Sequence, residues 1–392
     1  MLIQTQPGQS LTISMPANKK HHYVPRFYLK RFALNGRSLN LYNFRLARPI
    51  PDADLKTQCY RDYMYGKEGD HEQRLSQLEG AFAQLLRYML PSAYLPPPMS
   101  PDHESLCILT LLQYARTAYT SDAMDDMADG MWKAILIKDP RVSKGMLEKV
   151  RIVHKDPANF TVATMLRLYH LMMDLEYNLL AAAPGCEFIT SDNPVVMYNQ
   201  LMEFERFGSS TGIASKGLQI FFPLSPKNML CFFDSAAYAC EPRREACFTV
   251  PSKRDMDQLN ALQVVSALEN VYFASPAADV FRCVEMGTRY RRTRKARIIK
   301  GRERMTATGG SQLIGSSRED VRTNLELTFM RLLKPAKRWR DERKRPGPKQ
   351  VSVVRNPGLV KEHDLFSHLV DEGRYQPTEF LRYLRELMCP PS

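Results

Sequence analysis

The chain has 392 residues, a quarter of them charged, and a formal net charge of +13. That length is ample for a sizeable core and suggests two domains. No apolar run approaches the roughly 18 residues of a membrane span and the N-terminus lacks a signal-peptide core, so a soluble, cytoplasmic protein with no membrane partner is expected. Eight scattered cysteines without a C-x-x-C pair argue against a zinc ribbon or a disulfide framework.

Residues 1–18 are polar and read as a disordered leader. The stretch "KKHHYVPRFYLKRFA" follows, at 19–33. Val24 is pushed toward an extended conformation by Pro25, which suits a first helical position. A helix from Pro25 places Tyr28, Leu29 and Phe32 on one face, and Asn35-Gly36 stops it. His21 and His22 then lie on an extended lead-in near the positive end of a helix, which favours neutral imidazoles, the form that acts as base or ligand. Alternation in an extended chain turns only one of them inward, and His22, nearer the helix, is the one expected there.

A strand is expected at 38–44, then a helix over 71–90 with an apolar stripe of Leu75, Leu78, Phe82, Leu85, Leu86 and Met89. Glu79 falls inside that stripe and Glu72 one heptad earlier. A carboxylate on a core face needs a partner, and Arg116, on the next helix (104–119) with Gln113, is the natural one. A further helix is expected over 161–183, with His170 and Asp174 paired on its surface. Short β-rich runs between 186 and 234 predict a small sheet, and "RDMDQLNALQVVSALEN" a helix before a final strand. The fold class is therefore α+β, predominantly helical with a small mixed or antiparallel sheet and a basic, partly irregular C-terminal region.

The positive charge is concentrated. Nine cations stand between Arg289 and Arg304 against Glu303, and nine between Arg331 and Lys349 against Asp341 and Glu342, so these stretches carry +8 and +7 and the rest is near neutral. Such clustering is the footprint of a polyanion-binding segment. Arg291, Arg292, Arg294, Lys295, Arg297, Lys337, Arg338, Arg340 and Lys344 are its candidate nucleic-acid contacts, with RNA or DNA as the partner. A solvated tail that binds nothing specific is the alternative.

The motifs "HHYVPRFYLKRF", "LEGAF", "QYART", "FITSDNPV", "FPLSP" and "QLNAL" before "NVYFAS", in this order over about residues 19–275, resemble the bacterial domain of unknown function family 4238. The resemblance implies important positions and no reaction: His21, His22, Tyr23 and Pro25; Glu72 and Glu79; Gln113 and Arg116; Ser191, Asp192 and Pro194; Ser225 and Pro226; and Asn260. Arg26 stands where the family often has Gln. The domains expected are the leader (1–18), the family-like domain (19–285), the basic segment (286–350) and a helical tail (351–392).

Two imidazoles, carboxylates and an arginine suit a hydrolytic centre, working by general acid/base catalysis or with a divalent metal ion. His21, His22, Glu79, Arg116 and Asp192 are the catalytic candidates. Tyr23, Pro25, Glu72, Gln113, Ser191, Pro194 and Asn260 are the supporting ones. The function expected is a phosphodiester hydrolase on RNA or DNA. A non-catalytic module binding nucleic acid or protein, and a small-nucleotide hydrolase, are the alternatives.

Overall fold

The computed structural model describes residues 19–67, 70–205, 209–242, 245–292, 295–300, 304–306, 309–311, 314–345 and 351–388. The expected leader lies outside these residues. The fold is α+β, with more helix than strand and several small sheets.

Two sheets carry the architecture. In the larger, strands Cys247–Thr249, Glu176–Ala181, Asn228–Phe233, Gln219–Ser225 and Val196–Tyr198 lie side by side in that order, antiparallel except for the first pair. The central runs "QIFFPLS" and "NMLCFF" are buried on both faces, hence continuously apolar. The second sheet is antiparallel, in the order Arg48–Asp54, Ser38–Asn43, Asn270–Phe273, Thr190–Ser191.

The Asp70–Met89 helix forms where periodicity puts it and buries Leu75, Phe82, Leu86 and Met89. The helix expected over 104–119 is two: Pro101–Ala115, buried nearly all round, and Ala118–Leu136. Between them Thr117 accepts the Thr120 N–H and caps the second helix. The helix expected over 161–183 is corrected. Pro157–Leu166 is helical, Tyr169–Met172 is a 3-10 turn, and Glu176–Ala181 is a strand paired over six residues with Asn228–Phe233. Leu and Ala mask its alternation, and tertiary pairing overrides their helix propensity. His170 and Asp174 do not pair with each other: His170 meets His363, and Asp174 meets Arg355 at 2.7 Å.

The described residues of the basic region form regular elements. Ala296–Lys300 pairs with Ile314–Arg318, Met330–Leu332 pairs with Tyr238–Cys240, and Lys334–Lys344 is a helix. Val321, Leu325, Phe329 and Met330 are buried against the larger sheet's residues. Phe366 and Phe380, further on, join the N-terminal cluster. No helix among the described residues is long and apolar enough to cross a membrane.

Candidate functional site

Lys20–His22 pairs antiparallel with Tyr60–Asp62, so the two histidines take opposite faces of a two-stranded ribbon. His21 is the inward one, at 1% exposure, which corrects the expectation that His22 would be. Its ring stacks on Tyr65 with centroids 5.7 Å apart, and its Nδ1 accepts the Tyr65 backbone N–H at 3.1 Å. His22 is half-buried, and its Nδ1 lies 3.0 Å from the Gln58 carbonyl oxygen. A carbonyl only accepts, so Nδ1 carries the proton and the neutral ring keeps its lone pair on Nε2. Burial, then the charges of Arg26, Arg116 and Lys20, lower the basicity of His22 against that hydrogen bond. These effects favour the neutral ring.

Arg116, 3% exposed at the C-terminal end of the Pro101–Ala115 helix, organises the surroundings. It donates from Nη1 to Glu79 Oε1 at 2.7 Å, from Nη2 to the His22 carbonyl at 2.8 Å, and from Nε to Tyr65 Oη at 3.3 Å. One turn earlier Gln113 donates to the Tyr23 carbonyl at 3.2 Å. "QYART" thus holds the backbone of the histidine strand. The expected Glu79–Arg116 pair forms, with Glu79 still a quarter exposed. His22, Glu79, Arg116 and Tyr65 line a cavity of about 460 Å³ whose rim carries Lys20, Arg26 and Lys56. A recess beside Arg292 and Arg318 has room for only about 10 Å³, too little for a ligand.

Asp192 does not line this cavity. Its Oδ1 accepts the Leu268 N–H at 2.7 Å, and its Oδ2 accepts those of Glu269 at 2.7 Å and Asn270 at 3.0 Å. Burial, working against these donors, raises its pKa to about 6. Ser191, Asn193 and Pro194 of "TSDNP" are bonded to the Lys253–Ser266 helix, while Thr190 meets the Tyr28 hydroxyl. Ser191 donates to Gln263, Gln263 donates to the Pro194 carbonyl, and Asn193 donates to Ser266. Asn260 accepts the Ile189 N–H and donates to the Glu187 carbonyl. Thr117, next to Arg116, donates to Asn193 and joins this network to the cavity wall. Tyr23 is half-buried near Cys59 and Asp192, and burial raises its hydroxyl pKa. Pro25 is extended and precedes the Arg26–Leu29 helix. Ser225 accepts the Lys227 N–H, and the Pro226 carbonyl accepts the Phe188 N–H, both at the hairpin turn. The side chain of Glu72 lies outside the described residues.

Four of the basic candidates are engaged within the molecule. Arg291 donates to the carbonyls of Val264 and Leu268 over the Phe44 ring, and Arg292 to those of Ser266 and Glu319 over Tyr119. Lys295 pairs with Asp122 at 2.6 Å and Arg297 with Glu319. Their charge meets helix-end carbonyls and acids distant in sequence, which a charge count does not reveal. Lys337, Arg338 and Lys344 are exposed on the Lys334–Lys344 helix, and Arg340 is half-buried 3.9 Å from Asp341. Arg294 lies outside the described residues.

Sequence reasoning missed Gln58, Tyr65 and the Arg61–Asp122 ion pair (2.6 Å) that ties the histidine ribbon to the Ala118–Leu136 helix. Gln58 acts through its carbonyl, which leaves no side-chain signal; "YRDYMY" at 60–65, aromatic and basic, was the available clue to Tyr65. Among the described residues no three His, Cys, Asp or Glu side chains form a metal-ligand set. His21, His22 and Glu79 all line the cavity.

These features define an α+β protein in which a neutral histidine and a Glu–Arg pair share a basic-rimmed cavity. A family described as proteins of unknown function (DUF4238) matches residues 20–277, and the chain belongs to it. No curated protein and no solved structure matches the chain. The matched span contains every residue lining the cavity.

Proposed function

We propose that the protein is a phosphodiester hydrolase acting on RNA or DNA, with its reaction centre in the cavity between the histidine ribbon and the Asp70–Met89 helix. The observation that carries this reading is His22, whose Nδ1 is committed to the Gln58 carbonyl and whose neutral form therefore offers Nε2 as a base. A positioned base contributes about 10²–10⁴-fold to proton abstraction from an attacking hydroxyl or water. Lys20, Arg26 and Lys56 line the same cavity and supply positive charge of the kind that stabilises a pentacovalent phosphate. Glu79 has exposed surface on the cavity side and can orient the nucleophile. Arg116 and Gln113 are positioning residues that fix the His22 and Tyr23 carbonyls.

A binding-module reading is favoured by one observation, the exposed Lys337, Arg338 and Lys344 on one helix. The two readings separate when the intact chain is incubated with end-labelled RNA, single-stranded DNA and duplex DNA, with magnesium, manganese or chelator. Cleavage products are expected on at least one substrate. Retention of label without cleavage under all conditions rejects the hydrolase and leaves the binding module.

A further inference from the structure

The helix Pro357–Asp371 lies beyond the family match, yet a histidine pair fastens it to the family core. His170, fully buried in the Tyr169–Met172 turn, places Nε2 2.7 Å from Nδ1 of His363. Phe380 stacks on the His170 ring with centroids 4.2 Å apart, and Phe366 and Tyr169 stand edge-on to it. His170 Nδ1 is buried and meets no hydrogen-bond partner among the described residues. Two neutral rings satisfy the contact with one N–H donated between them. Each further proton puts charge among aromatic faces, and His170 Nδ1 has no acceptor for it.

We propose that His170 and His363 form an acid-released latch, in which proton uptake detaches the arm formed by residues 357–388 from the core. Burial is the main cause lowering both pKa values, that of His170 to about 3, with His363 adding to the effect on His170. Free imidazoles titrate near about 6.5, so the detached arm binds more protons than the docked one below that pH. Docking is intact above about pH 6.5 and is lost as pH falls.

Other charged groups at this contact work with or against the histidines. Asp364 beside His363 favours its charged form and moderates the effect. Glu104 accepts the Tyr169 hydroxyl, and burial raises its pKa, so it favours docking and opposes the histidines as pH falls through that raised value. Glu362 accepts the Tyr383 hydroxyl. Asp371–Arg167 also ties the arm to the core and Asp174–Arg355 anchors the chain just before it, each at 2.7 Å. The two histidines set the sign where the loss begins, as pH falls below about 6.5.

Hydrogen exchange of the intact chain, followed by mass spectrometry from pH 7.5 to 5 and corrected for intrinsic rates, tests this. Peptides covering 357–371 and 380–388 should lose protection below pH 6.5, by up to about a hundredfold per pH unit if both protons are taken up. Strands Gln219–Ser225 and Asn228–Phe233 should remain protected. In His363→Gln the dependence should fall to about tenfold per unit at most. Arm protection that is flat with pH, or that is lost together with those strands, overturns the latch, and so does an unchanged slope in His363→Gln. The wild-type profile decides alone if that variant does not fold.

Discussion

Arg116 donates to the His22 carbonyl oxygen at 2.8 Å, joining positions 94 residues apart, while the same guanidinium holds Glu79 at 2.7 Å. The histidine strand is thus fixed through its backbone, and the imidazole of His22 is left to the cavity. Arg116→Lys should lower unfolding free energy by about 2–4 kcal/mol, because one ammonium cannot reach Glu79, the His22 carbonyl and Tyr65 together. Urea denaturation measures it. A variant within about 0.5 kcal/mol of wild type would show that the network contributes little.

The two histidines should separate in stability. His21 is buried, stacked on Tyr65, and accepts a backbone N–H, so His21→Ala leaves both a void and an unmet donor. A loss of about 2–4 kcal/mol is expected. His22→Ala removes a half-buried ring with one hydrogen bond and should cost about 1 kcal/mol or less. Thermal unfolding of both variants in one buffer gives the comparison, and the reverse order would contradict the assignment of faces.

What was legible in the sequence was the chemistry of single elements. The Glu79–Arg116 pair followed from a carboxylate inside an apolar helical stripe, and the Tyr28, Leu29, Phe32 face from the spacing after Pro25. The direction of each imidazole was not legible, because it depends on pairing between Lys20–His22 and Tyr60–Asp62. Glu176–Ala181 was hidden by its Leu and Ala content, and became a strand through a partner some fifty residues away. The basic run misled in a similar way. Arg291 and Arg292 are ordinary surface cations by composition and helix-terminating donors in the fold.

Asp192 should prove architectural. Its oxygens accept three backbone N–H groups, and an amide in Asp192→Asn would turn an NH₂ toward at least one of them. A destabilisation of about 2–3 kcal/mol is expected by equilibrium unfolding at pH 7.5. The pKa near 6 adds a sign in wild type. Raised above its unfolded value, it favours the folded state most below about pH 4, and that contribution is lost as pH rises through about 6. A wild-type-like melting temperature in Asp192→Asn would make Asp192 a candidate reacting group again.

Nucleic-acid affinity, if it resides on the Lys334–Lys344 helix, should follow its exposed cations. Replacing Lys337, Arg338 and Lys344 with Gln should weaken oligonucleotide binding and lower the slope of log affinity against log salt by about 0.7–0.9 for each phosphate no longer neutralised. Arg292→Gln should lower stability and leave that slope unchanged, since its guanidinium is engaged with the Ser266 and Glu319 carbonyls. Fluorescence anisotropy across a salt series distinguishes them. An unchanged slope in the triple variant moves the interface elsewhere.

The initial rate of phosphodiester cleavage by His22→Ala, relative to wild type at pH 7.5 and at matched folded fraction, addresses the reaction centre itself. Loss of a positioned base should cut the rate by about 10²–10⁴-fold with little change in melting temperature. In wild type the rate should rise with pH through a value below the ordinary histidine pKa and level off by neutrality, because the neutral ring is the active form. A His22→Ala rate within a few-fold of wild type, with the protein folded, would contradict a reaction centre built on His22.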